Sequence, residues 1–368
     1  MKYARMVIEK ESPEEYGYDL IKYNLSESSI TDQRLSDIGV VIPDVKLLYG
    51  EHRGDPKLRK LVVEKDDGLS ADHVLMAPGA AGALFIISTT LLSQNDHLVV
   101  VRPNYATNIE TPKAIGCEIT YIDLHFDRGF SVDIDKVAKS LRPNTRFISV
   151  TCPHNPSGTA MSRAELDRLI QIAEDHGCYL LVDETYRDLS YEAKLPTAAS
   201  LSKKAISVAS LSKAYGIPGI RVGWLITKDE VLYERFLSAK EQIAICGSIL
   251  DETVALELLK KRDQFLAKVL PEMRRRRDIV QEWIDGEPLV EWVKPSGGVV
   301  GFPRLNLSAD FDAGAFYKTL LEEHGTYVGP GHWFEMPGNY FRVGFGWPTE
   351  DELRGGLKAI SAALDAYR

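Results

Sequence analysis

Five short, almost wholly apolar runs punctuate the middle of the chain: HLVVVR at 97–102, RFISVT at 146–151, CYLLVD at 178–183, AISVAS at 205–210 and VGWLI at 222–226. Each is shorter than a typical helix and too continuous for a strand with one wet face. Such runs suit strands covered on both faces. Helical patterns lie between them. Residues 81–92 carry Leu84, Ile87, Ser88 and Leu91 at helical spacing. Residues 162–177 open with Ser162 and Glu165, a capping box, and close on Gly177, a C-cap candidate. Leu166, Leu169, Ile170 and Ala173 form the stripe that faces a sheet. The alternation predicts an α/β domain with a mainly parallel sheet over residues 46–250.

From residue 251 the pattern changes. A helical stretch, DETVALELLKKRDQFLAKVL, is followed by the strand candidates GGVVGFPRL and NYFRVGFG and a last helix over 349–367. This reads as a smaller α+β domain over 251–368. Residues 1–45 are irregular and are expected to pack beside it. A chain of 368 residues has ample core for two domains. Its net charge of −9 argues against a general nucleic-acid binder. The one basic run, Arg274, Arg275, Arg276 and Arg277, lies in a helical pattern with Met273, Val280 and Trp283, and reads as a solvated face. The four cysteines, Cys117, Cys152, Cys178 and Cys246, lack metal-ligand spacing, so no metal is expected and buried thiols are the default. The start, MKYARMVIEKESPEEYG, has no apolar signal core, and no run approaches a membrane span. A reducing cytoplasm is the expected compartment.

Chemistry concentrates in SLSKAYGIPGIR at 210–221. The Lys213 amine is a nucleophile towards an aldehyde when its surroundings keep it partly deprotonated. Ser210, Ser212 and Arg221 suit a phosphate dianion. Gly216, Pro218 and Gly219 fold the loop back, so both ends can face one ligand. A ligand with both an aldehyde and a phosphate is pyridoxal 5′-phosphate. Other strand ends carry matching groups. Asp183 suits a ring nitrogen that must stay protonated, and Tyr186 offers a phenol to the same ring. Asn155 lies in CPHNPSGT, a loop stiffened by two prolines and a glycine; the adjacent His154 reads as a turn residue. The stretch MAPGAAGA at 76–83, with Gly79, Ala80 and Ala81, leads small residues into a helix N-terminus, a setting for an anion. Tyr105 can stack on a flat ring. Taken singly, Asp183 also suits a turn cap, Asn155 a structural turn and Tyr105 a packing role.

Together these segments resemble the fold-type I pyridoxal-phosphate enzymes, specifically the class I/II aminotransferases typified by aspartate aminotransferase. The resemblance covers nearly the whole chain from about Leu25 onward. It implies that Lys213 carries the Schiff base, with Lys213, Asp183 and Tyr186 as the catalytic set. Ser210, Ser212, Arg221 and the backbone of Gly79, Ala80 and Ala81 are then phosphate contacts, and Asn155 and Tyr186 ring-oxygen contacts. YGEHRG at 49–54, followed by Leu58 and Arg59, is similar to a segment whose Tyr reaches the phosphate of a neighbouring subunit, which implies a homodimer and a role for Tyr49. YFRVGFG at 340–346 matches the segment whose Arg, here Arg342, grips the substrate α-carboxylate.

Two departures stand out. NLSESS at 24–29 replaces the family's frequent Gly-Glu-Pro-Asp-like segment, making Ser26 and Glu27 substrate-side candidates. Ala80 stands where many relatives carry a hydroxyl. The implied reaction is ping-pong transamination between an α-amino acid and a 2-oxo acid. The same cofactor motifs also serve oxidases, cyclases and lyases of specialised metabolism, and Glu27 suits a cationic amino acid such as arginine as well as a local cap. A sensor domain fused to a DNA-binding module is disfavoured by the acidic charge and by the lack of a basic segment before residue 25.

Overall fold

The apolar runs become the middle of a seven-stranded sheet. The structure is a computed structural model describing residues 1–308 and 311–368. The strands are β1 (Val74–Pro78), β2 (His97–Arg102), β3 (Glu118–Asp123), β4 (Thr145–Thr151), β5 (Tyr179–Asp183), β6 (Ala205–Ser210) and β7 (Val222–Thr227), in the spatial order β1-β7-β6-β5-β4-β2-β3. The pairs from β6 to β3 are parallel. β7 runs antiparallel to both β6 and β1. Two-sided burial fixes the apolar character of β7 but says nothing of its direction. The flanking strands β1 and β3 escape the sequence reading. VLMAP at β1 reads as the lead-in loop of a helix, although Val74 to Ala77 are buried. EITYID at β3 is an edge strand, mostly only half-buried.

Helices cover the sheet. α1 (Gly79–Leu91) starts directly off β1, two residues earlier than its periodicity predicts. α2 (Arg163–His176) has the predicted capping box, with Glu165 N–H donating to Ser162 Oγ and Ser162 N–H to Glu165 Oε2, and Gly177 closes it in the left-handed region. In the long α3 (Arg262–Gly286) the basic run is not a solvated face. Arg274 donates to the Tyr191 carbonyl, Arg276 to the carbonyls of Gly346 and Pro348, and Arg277 to that of Pro295. Arg275 pairs instead with the half-buried glutamates Glu272 and Glu350. Three of the four arginines therefore clamp loops to the helix, because fixed guanidinium forks match backbone carbonyls as well as anions.

Beyond the sheet, β8 (Phe341–Gly344) lies between the short strands Val300–Gly301 and Gly329–Pro330, antiparallel to both. The two-residue strand Tyr23–Asn24 pairs with Thr326–Tyr327, so the early segment joins the C-terminal elements. Its first residues reach further: Lys2 N–H donates to the Ala114 carbonyl beside the large sheet. Among the described residues, no helix is long and apolar enough to cross a membrane.

The chain leaves β2 for β3 on one side and returns to β4 on the other. This switch opens a crevice outside the carboxyl ends of the parallel strands, where open α/β sheets bind ligands. Across it, Thr151 Oγ1 donates to Asn104 Oδ1 at 2.7 Å. The start of α1 approaches the same edge because β7 carries Gly223. A Cβ there would lie 2.5 Å from the Gly79 carbonyl carbon and 2.8 Å from the Ala80 nitrogen. Gly223→Ala should therefore destabilise the fold by about 1–3 kcal/mol through overpacking. Gly286→Ala, whose Cβ meets nothing within 4 Å, serves as control. Urea unfolding midpoints test this; equal midpoints for the two variants would contradict it.

Candidate active site

A cavity of about 490 Å³ lies near the amino terminus and α1, but the one at the strand ends, of about 470 Å³, holds the chemistry. It is lined by Ala80, Ala81, Tyr105, Asn155, Asp183, Tyr186, Ser210, Ser212, Lys213 and Arg221, each delivered by the last residue of a strand, the loop after a strand or the start of α1. Lys213 follows β6. Its Nζ donates to Ser28 Oγ at 2.9 Å, and among the described residues no carboxylate lies within ion-pair distance. Desolvation pushes its pKa below the usual lysine range, with Glu27 pulling the other way. Asp183 ends β5, fully enclosed. It accepts from the Thr185 hydroxyl at 2.6 Å and the Thr185 N–H at 3.1 Å. Burial still raises its pKa above the usual carboxylate range, so neutral donors alone do not satisfy it. Tyr186 is buried, with its hydroxyl donating to the Ser28 carbonyl at 2.7 Å; burial raises its pKa to about 12.

Arg221 adopts φ 49° and donates to the Pro218 carbonyl at 2.8 Å. Its guanidinium lies against Gly79, where a Cβ would come within 2.8 Å of it. Gly79 thus lets the guanidinium sit at the head of α1, whose first N–H groups have no helical acceptor. Arg342 stands on β8, buried. It donates to the Ser26 carbonyl at 2.6 Å and Asn155 Oδ1 at 3.3 Å, and its Nε has no acceptor.

Four of the sequence candidates are not in the lining: Gly79 and Arg342 touch it through Arg221 and Asn155, and Tyr49 and Ser26 stand apart. Tyr49 is 79% exposed and does not line the cavity. Ser26 is buried, but its hydroxyl is spent on Asn24 Oδ1 at 2.8 Å, leaving its carbonyl to receive Arg342. Glu27 does line the cavity. Sequence reasoning missed Ser28, Thr185 and the mouth residues Glu9, Glu14, Tyr18 and Asp32. Asp-x-Thr at 183–185 is a turn signature that points to Thr185. The mouth residues come from irregular chain, and only the density of glutamates at 9–15 hints at them.

The family signature for aminotransferase class I and II matches residues 44–360. The chain belongs to this family. It is similar to capreomycidine synthase of Streptomyces vinaceus, with 31% identity over 95% of this chain and 92% of the relative. Arginine–pyruvate transaminase of Pseudomonas aeruginosa is 28% identical over 78% of this chain and 74% of its own. The crystal structure of a PLP-dependent aminotransferase from Streptococcus suis superposes with a TM-score of 0.92 at 30% identity, covering 100% and 99% of the two chains. The architecture is fold type I, the cofactor of this aminotransferase is pyridoxal 5′-phosphate, and the residues present fit it. Gly79 leaves the space at the helix head that a side chain would fill, and Asp183 is an enclosed acid without a cation.

His154, beside Asn155, supports this aminotransferase site from behind. One ring nitrogen meets the Pro103 carbonyl at 2.8 Å and the other Ser157 Oγ at 2.7 Å. Burial lowers its pKa from 6.5 to about 4. The unfolded chain therefore binds a proton below pH 6.5 that the folded chain refuses until pH 4. This contribution to stability is intact above pH 6.5 and is lost as pH falls, at about 1.4 kcal/mol per unit. His154→Gln should remove one proton from the pH dependence of unfolding between pH 6.5 and 4, measured by urea titration. An unchanged slope would refute the assignment.

Proposed function

We propose that this aminotransferase moves the amino group of an α-amino acid to a 2-oxo acid with Lys213 as covalent anchor and proton carrier. The supporting observation is the amine of Lys213, desolvated and without a carboxylate partner among the described residues, in one cavity with Asp183 and the head of α1. Bound there, pyridoxal 5′-phosphate supplies an aldehyde for the substrate amine and a cationic ring that draws electrons from Cα. The N–H groups of Ala80 and Ala81, following Gly79, hold its phosphate with Ser210, Ser212 and Arg221. Asp183 would keep the ring nitrogen protonated, Asn155 and Tyr186 would donate to the ring oxygen, and Tyr105 would pack against the ring. Arg342 takes the substrate α-carboxylate, its acceptor-free Nε completing a two-point pair. That grip turns Cα towards Lys213, whose Nζ takes the Cα proton. Such general-base help is worth about 10²- to 10⁴-fold in rate.

Tyr49 serves the site of a second copy in this reading. Val41, Leu47 and Leu48 beside it are strongly exposed apolar residues that a homodimer would cover. A cytoplasmic setting belongs to the same reading, supported by four free thiols.

The match to capreomycidine synthase along 95% of the chain favours a second reading, in which loss of the Cα proton leads to cyclisation instead. One assay separates the two. Holoenzyme with an amino acid and pyruvate should yield keto acid and alanine in equal amounts; a modified amino acid without keto acid would favour cyclisation, and release of ammonia or peroxide would favour elimination or oxidation. Lys213→Ala should retain native circular dichroism, lose the covalent cofactor absorbance band and lose turnover by about 10²-fold or more. A variant that kept both band and turnover would overturn the role of Lys213.

A further inference from the structure

We propose that the side chain of the amino acid accepted here is cationic, a guanidinium held against Glu27 and Glu9 with Glu14 and Asp32 at the rim. The proposal rests on the reading above, that the cavity takes an α-amino acid, and names its class. Four carboxylates, Glu9, Glu14, Glu27 and Asp32, line the same cavity as Lys213. None of them has a Lys, Arg or His partner within ion-pair distance among the described residues, whereas other acids away from the cavity do find one. Asp66, for example, meets Arg187 at 2.7 Å. The partners they do have are neutral. Tyr18 donates to Glu27 Oε1 at 2.9 Å, and Trp347 Nε1 donates to Asp32 Oδ2 at 2.9 Å. The Tyr18 and Trp347 rings stack at 6.0 Å, so one aromatic pair aims two carboxylates.

Hydrogen bonds from neutral donors orient a carboxylate without cancelling its charge. Glu27 and Glu9 are also half-buried, and burial raises the pKa of each. A desolvated negative wall of this kind is relieved by a cation from outside. A metal ion is not that cation: among the described residues no group of three or more His, Cys, Asp or Glu has a metal-holding arrangement. The ligand must instead carry its own positive charge while presenting a carboxylate to Arg342, whose buried Nε awaits an acceptor. A guanidinium suits several surrounding carboxylates because its five N–H donors point outward in a fixed plane. Tyr18 then acts as a positioning residue that sets the direction of Glu27.

The test uses holoenzyme and pairs each cation with its neutral isostere. L-Arginine and L-citrulline are compared in the half-reaction, followed by loss of the cofactor absorbance band. Binding of 5-guanidinopentanoate and 5-ureidopentanoate, which lack the reacting amine, is measured by calorimetry. Arginine should exceed citrulline roughly 10- to 150-fold in efficiency, the range expected for hydrogen bonds to a charged group, and the guanidino acid should outbind the ureido acid. Glu27→Gln should shrink both ratios. Tyr18→Phe should raise the half-saturating concentration of arginine and leave that of citrulline unmoved. If amino acids react but arginine and citrulline do so equally, the cationic class falls while transamination stands. If no amino acid reacts yet the guanidino acid alone binds, the class stands and the reaction reading falls. Equal binding of the two amine-free acids overturns the proposal.

Discussion

The organising constraint is an amine held in a desolvated cavity with a neutral hydroxyl as its partner. Lys213 Nζ meets Ser28 Oγ, not a carboxylate, so desolvation and the nearby Arg342 oppose its proton while Glu27 at greater reach favours it. An ion pair would lock the amine in its charged, unreactive form. A fully apolar pocket would provide nothing to orient it. The hydroxyl does orient it, and the backbone repeats the link, because Ile30 N–H donates to the Lys213 carbonyl at 3.1 Å.

That link makes residues 24–31 the seam of the molecule. The Ser26 carbonyl receives Arg342, the Ser28 carbonyl receives Tyr186, and the Ser28 hydroxyl receives Lys213. Gly344 N–H on β8 donates to the Leu25 carbonyl at 2.7 Å, and a Cβ on Gly344 would fall 1.8 Å from the Glu27 carbonyl oxygen. The glycine in YFRVGFG thus lets β8 lie flat on the seam, which brings Arg342 to the large sheet. This irregular stretch joins a strand from the C-terminal part to the loop after β6.

The same contrast explains what was legible in the sequence. Lys213, Asp183 and Arg221 sit at the ends of strands or in the loop between them, and uninterrupted burial writes such strands as apolar runs. α2 announced both its ends because caps are local chemistry. β1 did not, since VLMAP runs straight into α1 with Pro78 between them, and proline there reads as loop. Arg274, Arg276 and Arg277 misled for another reason: four adjacent cations look solvated until distant carbonyls at 191, 295, 346 and 348 arrive to receive them. Glu9 and Glu14 carry no periodic signal at all. Their place depends on Tyr23–Asn24 pairing with Thr326–Tyr327, some three hundred residues away.

Charge in the cavity shows why these late-placed acids matter. Its cations are Arg221 and Lys213, with Arg342 reaching it through Asn155, and its anions are Asp183, Glu9, Glu14, Glu27 and Asp32. In the proposed reading Arg221 would be answered by a phosphate, Arg342 by an α-carboxylate and Asp183 by a protonated ring nitrogen. Lys213 would be neutral once its amine has given up its proton. Every cation is then answered, and four acids remain on one side of the site. Exposure lets solvent screen Glu14 and Asp32. Glu27 and Glu9 are half-buried and less well screened. In this reading common chemistry rests on the strand ends, while the choice of substrate rests on residues 9–32, where Tyr18 and Trp347 hold Glu27 and Asp32 in place.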